Sequence, residues 1–190
     1  MNLRKITMIG TVILGFGMLS NPLFAQTNKK KTVEVGGAAM YPSKNIVENA
    51  VNSEDHTTLV TAVKAAGLVE TLQSEGPFTV FAPTNAAFDK LPEGTVEKLL
   101  KEENKMKLQT VLTYHVLSGK FNAKDLLKNI REKGGKVMMK TVSGGSLMFW
   151  EKSGDIYIRD ENGNNALVTI ADVNQSNGVI HVINKVLLPK

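Results

Sequence analysis

The 190-residue chain contains no cysteine. That excludes disulfide frameworks, cysteine-ligated zinc sites, thiolate nucleophiles and lipid attachment at a cysteine. Histidine is scarce, with only His56, His115 and His181, and no two of them stand four apart as a helical metal pair would. There is no G-x-S-x-G nucleophile elbow, no P-loop and no G-x-G-x-x-G stretch. Aromatic residues make up 6% of the chain, and no stretch interleaves them with basic residues as a nucleic-acid face would. The carboxylate pairs Glu102-Glu103 and Asp160-Glu161 lie in charged, turn-like sequence. They read as solvated, whereas an acid–base role needs a carboxyl raised by burial. Asp160 to Asn164 offers oxygen ligands but not the spacing of a calcium loop. Ser143-Gly144-Gly145-Ser146 reads as a turn between strands. No catalytic, metal or cofactor constellation emerges.

What is present is an ordinary globular balance, 42% hydrophobic and 22% charged. Residues 1–25 read as a signal peptide: Arg4 and Lys5 lead, Ile6 to Leu19 is mostly apolar, and Leu23-Phe24-Ala25 resembles a cleavage site. The apolar run is roughly 14 residues, short of the ~20 that a spanning helix needs. The expected product is exported, periplasmic or secreted, and does not span the membrane once the signal is removed. It would carry 21 basic and 18 acidic residues. Residues 26–40 read as a flexible tail, polar and holding the basic run Lys29-Lys30-Lys31. Residues 41–190 are long enough for one domain that stands on its own core without disulfides.

Phe78-Thr79-Val80-Phe81-Ala82-Pro83 is β-branched and aromatic, begins after Gly76-Pro77, and stops at a proline that cannot donate to a ladder. Thr84 is placed to cap a helix carrying Phe88 and Leu91. Before this stretch, helices are expected over Ser43–Val51 (capped by Ser43), Asp55–Ala66 (stopped by Gly67) and Leu68–Ser74. After it, apolar stripes at Val96, Leu99 and Leu100, then at Leu108, Val111 and Leu112, predict two more. A short strand follows from Tyr114 to Leu117, and a helix starts at Asn122 or Ala123 and ends at Gly134-Gly135. The period then changes. Strands are predicted over 136–142, 146–152, 155–159, 166–173 and 178–188, with Leu147–Arg159 the clearest hairpin. The last is apolar on both faces and belongs in the middle of a sheet. Helices mainly first and strands mainly second make an α+β fold. Phe78, Phe81, Phe88 and His181 are expected core residues, His115 a buried neutral histidine, and His56 a surface residue at a helix entry.

FTVFAPTNAAF over residues 78–88 resembles the first signature segment of fasciclin (FAS1) domains. Tyr114-His115-Val116-Leu117-Ser118-Gly119 and Gly178-Val179-Ile180-His181-Val182-Ile183-Asn184-Lys185-Val186-Leu187-Leu188-Pro189 resemble its two later segments, in the same order and spacing. The resemblance implies a β-sandwich-like wedge with helices packed around it. It also implies adhesion without catalysis, through contacts with cell-surface or matrix proteins or polysaccharides; the alternative is an envelope protein holding a small molecule or a glycan. In animal members, contact roles attach to an Asn-Lys-Asp-Ile-Leu-like segment and to the Tyr-His pair. The matching residues are Lys124, Asp125 and Leu126, with Ala123 departing from the pattern, and Tyr114 and His115.

Overall fold

The computed structural model describes Thr32–Lys190. The expected signal peptide and the basic run Lys29–Lys31 lie outside the described residues. The folded unit starts earlier than the sequence predicted. Strands β1 (Val33–Val35) and β2 (Ala38–Met40) form an antiparallel hairpin rather than the end of a tail. Gly36 and Gly37 have φ of 54° and 72°, the left-handed pair that a tight hairpin turn requires. Val35 and Met40 are then buried.

Helix α1 runs over Ile46–Ala50 and is capped by Asn45, not by Ser43. The Asn45 Oδ1 accepts from the Glu48 N–H at 2.9 Å, and Glu48 Oε2 accepts from the Asn45 N–H at 2.8 Å. This reciprocal box needs an acidic or amide residue three positions on; from Ser43 that position is Ile46. Helices α2 (Thr57–Ala66) and α3 (Val69–Gln73) follow, with Gly67 ending α2 at φ 69°. Strand β3 (Phe78–Pro83) leads into the single turn α4 (Asn85–Phe88). Thr84 holds the cap position but its hydroxyl makes no cap bond. Asn85 instead ties the turn to the start of α2, accepting from the Thr58 N–H at 3.0 Å and donating to the Glu54 carbonyl at 2.8 Å.

Helices α5 (Thr95–Leu99) and α6 (Lys105–Tyr114), strand β4 (Val116–Ser118) and helix α7 (Ala123–Glu132) complete the first half. Strands β5 (Lys136–Lys140), β6 (Ser146–Lys152), β7 (Asp155–Arg159), β8 (Asn165–Gln175) and β9 (Gly178–Ile183) complete the second. The sheet order is β4-β3-β9-β8-β7-β6-β5, with β3 and β9 parallel and all other neighbours antiparallel. β9 therefore lies inside the sheet, as its apolar faces require. It starts with Gly178 because a Cβ there would come within 2.1 Å of the Phe78 carbonyl oxygen. It ends at Ile183, short of the expected 188: the Asn184 N–H still reaches the Leu167 carbonyl of β8 at 3.2 Å, but the Leu187 and Leu188 amides are taken by the side chains of His115 and Asp160. β8 is irregular twice in its pairing with β9, and Asp172 there has φ 60°. Such bulges bend a strand and let β8 serve two sheet portions. The Val142 N–H donates to the Val116 carbonyl at 2.8 Å, so the two ends of the order come back together.

One core fills the concave side of the rolled sheet and is covered by α7: Phe81, Phe149, Ile158, Leu126 and Ile130 meet there. A second lies on the opposite side of β3 and β9, where Val80, Ala82 and Ile180 face Val35, Met40 and Ile46. β3 thus has both faces covered. Phe88 is buried, while Phe78, at the exposed start of the strand, is only partly so.

Candidate functional site

The five residues named from the sequence do not gather on one surface. Tyr114 is fully buried. Its hydroxyl donates to the Ser146 carbonyl at 2.8 Å and accepts from the Glu161 N–H at 3.0 Å, and burial pushes its pKa up to about 12. His115 is buried too. Its Nδ1–H donates to the Val111 carbonyl at 2.8 Å, while Nε2 accepts from the Leu187 N–H at 2.9 Å. Those partners select the neutral ring, and desolvation lowers its pKa to about 4. Leu126 has no exposed surface and packs in the main core. Only Lys124 and Asp125 reach solvent, at the start of α7. The Asp125 Oδ2 also accepts from the Asn122 N–H at 3.0 Å, tying down its own helix.

Two surface assignments are overturned. His56 is buried, not a surface residue. Its Nδ1 is 2.9 Å from the Ser53 hydroxyl, and its Nε2 is buried without a hydrogen-bond partner. Desolvation lowers its pKa, outweighing the Ala82 carbonyl and the Asp55 charge, which act in the opposite direction. Asp160 is buried rather than solvated, because its carboxylate organises a loop: it accepts from the Asn164 N–H, the Asn164 side chain and the Leu188 N–H. Among the described residues no three His, Asp or Glu side chains gather as a metal would need.

Two features escaped the sequence reading. The first is the open face of β5–β7. Residues Lys136, Trp150, Tyr157 and Leu167 form one cross-strand row, and Met138, Met148, Arg159 and Asn165 the next. The Trp150 and Tyr157 rings stack at 5.4 Å between centroids. The Arg159 guanidinium lies 5.2 Å from the Trp150 ring, steadied by its Nε donating to Asn165 Oδ1 at 2.8 Å. Lys136, Lys140, Lys152 and Arg159 share this face with one carboxylate, Asp155, which stands opposite Lys152. Met138 is 66% exposed. The signal was available: the two-residue turn Ser153-Gly154 sets Trp150 opposite Tyr157.

The second is a cleft of about 90 Å³ between α1–α3 and the β3–β9 side of the sheet. Val47, Leu59, Val60, Leu72, Phe78 and Val80 contribute to a wall that is almost all hydrocarbon. Nothing local in sequence marks it, since its lining comes from most of the chain.

A family model, "Fasciclin domain", matches residues 54–189. The chain belongs to the fasciclin family. Among its relatives, Protein sll1483 of Synechocystis is 46% identical over 94% of this chain and 93% of its own length. Immunogenic protein MPB70 of Mycobacterium bovis is 33% identical over 87% of this chain and 78% of its own. The pig transforming growth factor-beta-induced protein ig-h3 is 36% identical over 78% of this chain, which spans only 20% of that longer protein. A FAS1 domain pair from the insect cell adhesion molecule fasciclin I matches with a TM-score of 0.68 at 22% identity, covering 76% of this chain and 51% of that one. The α+β wedge is thus the fasciclin fold, carried here as a fasciclin-type interaction module. Among the described residues no helix is long and apolar enough to cross a membrane.

Proposed function

We propose that this fasciclin domain is an exported attachment module that holds cell-surface or matrix proteins or polysaccharides without turning them over. The observation that carries the reading is the open face of β5–β7. Interfaces favour aromatic and arginine side chains, and rigid aromatic rings lose little entropy on contact. Trp150, Tyr157 and Arg159 are already held against one another. The excess of cations suits a partner with acidic groups. Support for adhesion also comes from the structural relative, itself named an insect cell adhesion molecule. Export rests on the reading of residues 1–25. The five residues carried over from the family's contact segments contribute less, because Tyr114, His115 and Leu126 are interior.

The test is adherence of the producing cells, and of their envelope and matrix fractions, to immobilised residues 26–190 at physiological salt. Retention that falls about tenfold, or roughly 1.4 kcal/mol, in Lys136→Gln/Arg159→Gln supports the reading. Retention of nothing at physiological salt would sink it. The cleft, walled almost entirely by hydrocarbon, favours a second reading, a holder of small apolar molecules.

A further inference from the structure

The cleft has walls of one kind and charge of one sign. Every side chain lining it is apolar except Ser53, His56, Lys64, Thr71, Thr113 and His115. Two of these are already committed: His115 uses both ring nitrogens, and Ser53 is bonded to His56. His56 and His115 favour their neutral forms, because burial lowers the pKa of each. No carboxylate lines the cleft, so Lys64 is its single charged group. Lys64 is exposed, and among the described residues its ammonium forms no ion pair. It stands near the end of α2, while His56 immediately precedes that helix. Eight residues of helix rise separate them by ~12 Å, and Leu59, Val60 and Val63 line the cleft between them in sequence.

We propose that this cleft binds a small monocarboxylate with an unbranched apolar body, the alkyl chain lying between α1–α3 and the sheet and the carboxylate paired with Lys64 at the rim. The apolar wall supplies attraction in proportion to the chain it removes from water. The lysine supplies the sign: an ammonium on a flexible stem at the rim of the apolar wall attracts an anion, whereas a cationic amphiphile of equal chain length is repelled. The half-buried Leu59, Val60, Leu72 and Phe78 are the wall residues whose remaining exposure the chain would cover. This ligand is independent of the attachment face, which lies on β5–β7.

The experiment uses residues 26–190 and a fluorescent fatty acid, dansyl-undecanoate, displaced in turn by decanoate, decanol and decyltrimethylammonium. Decanoate is expected to displace the probe saturably and better than either of the others. Lys64→Glu should weaken decanoate by about threefold to tenfold, because reversing an exposed charge removes one attraction and adds one repulsion, and should improve decyltrimethylammonium. Lys133→Glu, at the exposed end of α7, should leave both unchanged. A cavity-filling variant, Ala50→Leu, checked for native far-ultraviolet circular dichroism, should reduce all three. Equal displacement by decanoate and decanol, or a Lys64→Glu variant that behaves as the parent, would overturn the proposal. Absence of any saturable displacement would overturn it as well, leaving the adherence result to judge the attachment reading separately.

Discussion

The Nε2 of His115 accepts a hydrogen bond from the Leu187 amide at 2.9 Å, joining residues 72 apart in sequence. This bond requires an unprotonated nitrogen. Its other nitrogen already donates to Val111, so a proton added to the ring removes the acceptor and leaves a buried charge.

A pH dependence follows. The folded ring has its pKa lowered to about 4 from an ordinary value of 6.5. The unfolded chain therefore binds the proton first as pH falls. The contribution to stability is full above the unfolded value and is lost as pH drops from 6.5 towards 4, reaching about 3 kcal/mol. His181 and His56 are lowered in the same direction by burial. Thermal unfolding between pH 7 and 4 should show this slope, and His115→Gln should be less stable at pH 7 but flatter. Identical slopes in parent and variant would remove the histidine as the cause.

Phe81 lies at the centre of the main core. Its ring has no exposed surface and sits 5.3 Å from Phe149 and 5.6 Å from the His181 ring, between centroids. Phe81→Ala should cost about 3–5 kcal/mol in denaturant unfolding, because truncation loses burial and leaves a void between fixed strands. A near-neutral result would mean that the strands close over the gap.

Asp172 caps a helix it does not belong to. From the bulge in β8 its Oδ1 accepts from the Ala123 N–H at 2.6 Å, the first residue of α7. Its own backbone has φ 60°. Asp172→Gly removes the cap but suits that backbone, and should cost about 1 kcal/mol. Asp172→Ala removes the cap and keeps the strain, and should cost about 1–2 kcal/mol more. Hydrogen exchange at the first α7 amides should rise in both. Equal stability of the two variants would remove the strained backbone from the account.

The local parts of this fold were legible. Gly67 ends α2 and Gly134-Gly135 follows α7 as the chain punctuation indicated, and the Ser153-Gly154 turn pairs β6 with β7 as predicted. These follow from backbone preference and side-chain period, which act over a few residues. The misread parts share a different cause. Val33–Met40 resembles a tail because three-residue strands are too short to show alternation, and their hairpin holds by packing on α1 and β3. His56 and Asp160 looked solvated because their neighbours are polar, yet each is covered by elements distant in the chain.

The sequence by itself determined the order and kind of elements from α1 onward, the central place of the last strand, and three signature segments that mark the fasciclin family. Only the tertiary structure decided that Tyr114 and His115 are interior ties, that Trp150 and Arg159 share an open face, and that an apolar cleft separates helices from sheet. The reason is physical. Periodicity states which face of an element is apolar, but not which distant element covers it. Nor does it say which buried amide, such as that of Leu187, takes a side chain in place of a strand partner.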